Sequence, residues 1–189
     1  MRYCPYFCEE NVWHLCLDDV VTDGARVVSL DDRRAVFISN DRRAVPMDRQ
    51  RAGQGNVIAW DYHVVLFALT RGGWRCWDLD HEGGAPQDLA VWMSSTFLVG
   101  APLEVFRTLT GKDVDAPRFR VVEAAEFLEL FSSDRSHMMD DRRRPTRPFP
   151  DWPAIDTGES TLMRFIDTRA AWVGEVFSYD DLRLHFCMK

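Results

Sequence analysis

Apolar residues recur at helical spacing after Cys8, where Val12, Leu15, Cys16 and Val20 predict one buried helix face. Glu9 and Glu10 fall in its first turn, where acids complement the helix dipole, and Asp18-Asp19 and Asp23-Gly24 predict its end. The run Ala35-Val36-Phe37-Ile38-Ser39 predicts a buried strand stopped by Asn40-Asp41. Residues 46–56, punctuated by Pro46, Gly53 and Gly55, predict a loop. Val57 to Leu69 is rich in β-branched and aromatic residues and predicts the clearest strand. Gly72-Gly73 marks a turn, and Trp74–Asp80 predicts the returning strand. Further along, the pattern predicts a helix around Leu103–Leu109, a strand Phe119–Val122, a helix Ala124–Phe131 and a strand Val173–Phe177. Ser178-Tyr179-Asp180-Asp181 resembles a capping box opening a last helix, Leu182–Phe186. Helices mix with hairpins without a βαβ rhythm. The expectation is one α+β domain over residues 1–189, an antiparallel sheet with flanking helices.

Composition narrows the function. Hydrophobic residues make up 46% of 189, enough for a packed core and against intrinsic disorder. With 23 basic against 30 acidic side chains the net charge is −7, which argues against nucleic-acid binding and against a cationic membrane-surface protein. The longest strongly apolar run, Val64–Leu69, is far short of the roughly 20 residues a bilayer needs. The first residues show no apolar run of the export type, and the five cysteines have no framework spacing. Reduced thiols in a cytoplasmic compartment are therefore expected. The segment Arg142–Pro150 holds four arginines and three prolines, the composition of a solvated loop or, alternatively, of a patch that docks an acidic partner.

Acyl transfer through sulfur requires a thiol, an imidazole and an acid that orients the imidazole. Free cysteine is only a few per cent thiolate at neutral pH, so it needs activation. Cys8 is expected at a helix N-terminus, which favours the thiolate, but Glu9 and Glu10 oppose it, so a histidine must supply most of the activation. His63 sits inside the strongest apolar run and must find a partner. Asp78 and Asp80 share one face of the returning strand. A tight turn at Gly72-Gly73 would leave Asp78 roughly 13 Å from His63 along the strand. A looser turn that pairs residue 69 with 74 sets His63 against Asp80, with Asp78 as diagonal neighbour, and is the expected register. The plainer readings stand beside these: a satisfied core histidine, a small buried cysteine and a solubilising aspartate. Cys4-x3-Cys8 and His14-x-Cys16 could be read as metal ligands, but no second paired set exists at zinc spacing, so no metal is expected.

The series Cys8-Glu9-Glu10-Asn11-Val12-Trp13, Ala35–Asn40, Trp60-Asp61-Tyr62-His63-Val64-Val65-Leu66, Trp77-Asp78-Leu79-Asp80, Phe131–Met138 and Ile155-Asp156-Thr157-Gly158 resembles, in order, the protein N-terminal glutamine amidohydrolase family. The arginine cluster at 142–147 departs from that pattern. The resemblance implies a monomeric α+β enzyme with a papain/transglutaminase-like core. It implies deamidation of N-terminal glutamine to glutamate with release of ammonia, without metal or organic cofactor, and a product that in many organisms feeds a degradation pathway. It implies Cys8 as nucleophile, His63 as base and Asp78, in preference to Asp80, as orienting acid. Substrates would be proteins or peptides with an unblocked N-terminal glutamine. Glu10 and Asp61 are then candidate acceptors for the substrate α-ammonium, and Ser136 and His137 line the site or pin their loop. Two rivals remain: another cysteine acyl-transfer enzyme (a protease or an internal deamidase), and a catalytically silent module that binds N-termini.

Overall fold

A computed structural model describes residues 1–188. In chain order the elements are α1 (Cys8–Leu17), β1 (Thr22–Asp23), β2 (Arg26–Val27), β3 (Arg33–Ser39), β4 (Val45–Met47), β5 (Ile58–Trp60), β6 (His63–Thr70), β7 (Gly73–Trp77), β8 (Gln87–Asp88), α2 (Leu89–Thr96), α3 (Ala101–Thr110), β9 (Arg118–Glu123), α4 (Ala124–Leu130), α5 (Leu162–Ile166), β10 (Glu175–Ser178) and α6 (Tyr179–Phe186). Six strands form one antiparallel sheet in the order β10-β9-β3-β6-β7-β8, the α+β arrangement expected. No helix among the described residues is long and apolar enough to cross a membrane.

Strand alternation sends side chains to two separate cores. Ala35 and Phe37 of β3, with Val64, Leu66 and Ala68 of β6, pack against Val12 and Leu15 of α1 and Phe127 of α4. Val36 and Ile38, with Val65 and Phe67, pack on the other face against Trp92 of α2 and Leu182 of α6. Each fully buried Val, Leu, Ile or Phe among them contributes roughly 1.5–3 kcal/mol. Covering both faces explains why β3 and β6 read as continuous apolar runs.

Both ends of α1 are fixed by side chains. Asn11 accepts the Cys4 N–H at 2.8 Å and donates to the Cys4 carbonyl at 2.9 Å, which holds the preceding segment against the helix. At the other end Arg33, 3% exposed, donates to the carbonyls of Leu15, Cys16 and Asp18. These carbonyls would otherwise lack partners at a helix C-terminus.

The run Val57–Leu69 divides into β5, which pairs with β4, and β6, which joins the main sheet. The break falls at Asp61, whose carboxylate accepts the Tyr62 N–H at 3.0 Å and whose carbonyl accepts the Ser39 hydroxyl at 2.7 Å. These bonds turn the chain locally. The region 46–56 correspondingly contains the end of β4 and a 3-10 turn, Arg51–Gly53. The looser hairpin register is present: Leu69 pairs with Trp74, and Thr70 with Gly73. The returning strand stops at Trp77, however, so Asp78 and Asp80 lie beyond it on a turn rather than on its face.

Candidate active site

The site lies where the N-terminus of α1 meets the first residue of β6. Cys8 and His63 both line a cavity of about 370 Å³, together with Tyr6, Trp60, Tyr62 and Asp80. Cys8 is the first residue of α1 and is 8% exposed. Its thiol donates to Glu9 Oε2 at 3.5 Å. Burial pushes the thiol well above its ordinary value, and the charges of Glu9 and Asp80 push the same way. The helix N-terminus alone does not activate it.

His63 is buried and stacks on Trp60, with ring centroids 5.9 Å apart at 15°. Its Nε2 lies 2.9 Å from Asp78 Oδ1. Burial acts to lower the imidazole, but Asp78, by charge and hydrogen bond, with Asp80 and Glu9, raises it above 6.5. The other ring nitrogen, Nδ1, has no hydrogen-bond partner among the described residues.

Asp78 is 1% exposed and fully satisfied. Oδ1 also accepts the Asp80 N–H at 3.1 Å, and Oδ2 accepts Gln50 Nε2 and Trp92 Nε1, each at 3.1 Å. Burial acts to raise this carboxyl, yet His63 and the two side-chain donors hold it at about 2. Because β7 ends early, the turn carries Asp78 directly onto the imidazole. Asp80, the residue the register alone set opposite His63, instead lines the cavity.

His63, Asp78 and Asp80 place three potential ligand atoms within 4.8 Å of one another. Asp78 already accepts donors on both oxygens, so a cation there would have to displace them. Cys4, Cys8, His14 and Cys16 form no such cluster among the described residues; the His14 ring lies 2.8 Å from Arg2.

The four residues singled out for substrate binding separate. Asp61 lines the cavity with its side chain 58% exposed, 3.3 Å from Arg43. His137 also lines it, its Nε2 lying 3.3 Å from the Tyr62 hydroxyl and 3.3 Å from Glu9 Oε1. Ser136 does not line the cavity. Its N–H donates to Asp134 at 2.9 Å, so it pins the loop. Glu10 is a correction. It is completely buried, and its oxygens take both Arg135 nitrogens and Trp152 Nε1, all at 2.7 Å. No oxygen is left for a substrate amine, and Glu10 instead anchors the loop after α4 to α1.

Sequence reasoning missed Gln50, Trp92 and Tyr62, whereas Glu9 opposes the Cys8 thiolate as expected. Gln50 sits in irregular chain, where no periodicity marks it. Trp92 had a usable signal, since a buried tryptophan needs an acceptor for its N–H, but α2 itself was not anticipated. Asp88, whose carboxylate caps that helix by accepting the Val91 N–H, stands just ahead of the apolar run and marks its start.

The model of the N-terminal glutamine amidase family matches residues 3–186. The protein N-terminal glutamine amidohydrolase of Danio rerio is 35% identical over 193 residues, covering 99% of this chain and 90% of that one. The human protein of that name is 35% identical over 195 residues, covering 99% and 88%. One from Drosophila mojavensis is 35% identical over 195 residues, covering 97% and 87%. With nearly the whole chain matched, this protein belongs to the N-terminal glutamine amidase family.

Proposed function

We propose that this protein hydrolyses the side-chain amide of glutamine at the N-terminus of proteins or peptides, giving glutamate and ammonia, with Cys8 as nucleophile, His63 as acid and base, and Asp78 as the acid that orients His63. The observation that carries the reading is the buried His63–Asp78 pair opening, beside Cys8, into one cavity of a chain of this family.

His63 takes the Cys8 proton, and the sulfur attacks the carboxamide carbon. A C–S bond forms as the carbonyl becomes a tetrahedral oxyanion. The Cys8 N–H, at the first position of α1, has no acceptor within the helix and is aligned by the dipole, so it serves as an oxyanion donor. The imidazolium protonates the nitrogen, the C–N bond breaks, and ammonia leaves a thioester. Water adds to the thioester as His63 removes its proton, the C–S bond breaks, and the proton returns to sulfur. Asp78 fixes the imidazole tautomer and stabilises its cation throughout. This chemistry draws on side chains and water alone. We place the core among papain/transglutaminase-like enzymes, by the cysteine at a helix N-terminus packed on an antiparallel sheet, and we take the chain as one catalytic domain.

Ammonia release tests the proposal. A Gln-initiated peptide should release ammonia and gain 1 Da as its terminal amide becomes acid, while its acetylated twin stays unchanged. Peptide cleavage instead would indicate a protease, and binding without turnover a silent module. Cys8→Ala should abolish release; near-normal rates in that variant would remove Cys8 as nucleophile.

A further inference from the structure

A free N-terminus is recognised by its positive charge, and an ammonium entering a cavity loses hydration that an acceptor must replace. With Glu10 occupied by Arg135, two carboxylates line the cavity. Asp61 is more than half exposed and already paired with Arg43. Asp80 is 8% exposed. Its Oδ1 accepts the Tyr3 hydroxyl at 2.6 Å, which fixes the carboxylate, and no hydrogen bond reaches Oδ2 among the described residues. One of its carboxylate oxygens lies within 4.8 Å of a His63 ring nitrogen. Four covalent bonds separate the carboxamide carbon of glutamine from its α-nitrogen, a span of roughly 4–5 Å. An amine paired with Asp80 and a carboxamide at Cys8 would share the one cavity that both residues line.

We propose that Asp80, held by Tyr3, is the subsite for the substrate's α-ammonium and the residue that confines the enzyme to unblocked N-termini. This rests on the amidohydrolase reading above. An acetylated or internal glutamine presents an amide there and leaves a buried carboxylate unpaired, the situation that gives an enzyme its strongest discrimination. Glutamine and asparagine differ by one bond in this span, so an amine anchored on Asp80 also sets how deep the carboxamide reaches.

The test uses the full chain with Asp80→Asn and Tyr3→Phe. The first readout is kcat and KM on a Gln-initiated peptide. The second is the rate at which iodoacetamide alkylates Cys8, followed by mass spectrometry. That rate reports the thiol and its histidine without any ammonium. Asp80→Asn should lower kcat/KM about 100-fold, chiefly through KM, since the ion pair exists before and during reaction. Alkylation should change little, because removing Asp80 lowers both the thiol and the imidazole. Tyr3→Phe should lose about 10-fold in the same direction. Alkylation falling in parallel with kcat/KM would place Asp80 in support of His63 and overturn the proposal, as would an unchanged KM in both variants. A wild-type protein that releases no ammonia from any Gln-initiated peptide would instead overturn the amidohydrolase reading itself.

Discussion

In the proposed mechanism Cys8 and His63 share one proton in the reactive state, whether it is drawn as thiol with imidazole or as thiolate with imidazolium. Asp78, Asp80 and Glu9 hold the second proton on the imidazole more tightly than its ordinary 6.5, and burial keeps the thiol protonated. At low pH both groups are therefore protonated and the pair is inert. kcat/KM should rise with pH along a limb centred above 6.5, measurable in a pH–rate profile. Asp78→Asn removes the main charge raising His63, so the limb should move to lower pH while the rate falls about 10²–10⁴-fold. If Asp80→Asn moved the limb that far and Asp78→Asn did not, the orienting acid would be Asp80. Trp92→Phe deletes one of the two donors on Asp78 Oδ2 and keeps most of the ring volume. It should raise the Asp78 carboxyl from about 2 and cost about 10-fold in rate, a shift visible by NMR titration.

Among the elements, α1 carries the proposed nucleophile and is tied at both ends to other parts of the chain. Arg33→Met would strand the carbonyls of Leu15, Cys16 and Asp18 in a buried setting. A loss of about 3 kcal/mol is expected, read as a lower urea midpoint at constant m. Elements with strong local signals were legible in the sequence: α1 from the spacing of Val12, Leu15 and Cys16, though Val20 lies beyond the helix and is exposed, β3 and β6 from their continuous apolar runs, and α6 from Ser178, whose hydroxyl does accept the Asp181 N–H. The hairpin register was legible too, because turn length and side-chain parity constrain it together. What escaped were features set by distant contacts. The break between β5 and β6 depends on Ser39 reaching Asp61 across the sheet. Arg120 looks like a surface residue of a strand, yet it is 1% exposed and donates to the carbonyls of Phe165, Ala170 and Val173. Spacing alone left Cys8, His63 and Asp78 as one trio among several, and family likeness singled them out. Glu10 misled because closeness in sequence to the nucleophile says nothing about which side of a helix a carboxylate faces.

At the scale of the whole molecule, the charges that set up the site also set its pH dependence of stability. Asp78 sits at about 2 folded against 3.8 unfolded, so its contribution of roughly 2 kcal/mol is present above pH 3.8 and lost as pH falls toward 2. His63 is raised on folding, so its contribution is complete below 6.5 and is lost as pH rises through its folded value. Asp80 and Cys8 are also raised, and each lowers stability as pH climbs through its titration. The melting temperature should therefore peak on the acidic side of the activity optimum, in a scan from pH 4 to 9 by calorimetry. Coincident optima would show that the raised values do not govern the fold.

The exposed arginines at 142–144 and 147 border a turn between Met139 and Pro145. Arg144 is engaged by Asp140, and the Arg147 guanidinium lies 4.4 Å from the Tyr6 ring centroid. Tyr6 is a wall of the cavity. The site thus draws on Tyr3 and Tyr6 near the start of the chain, Gln50, the hairpin around His63 and Asp78, Trp92, and His137 far downstream. During synthesis the sulfur at position 8 leaves the ribosome long before the parts that make it competent. On the proposed mechanism, a growing chain consequently holds an unassisted thiol, and hydrolytic power arrives only once the late segments have docked.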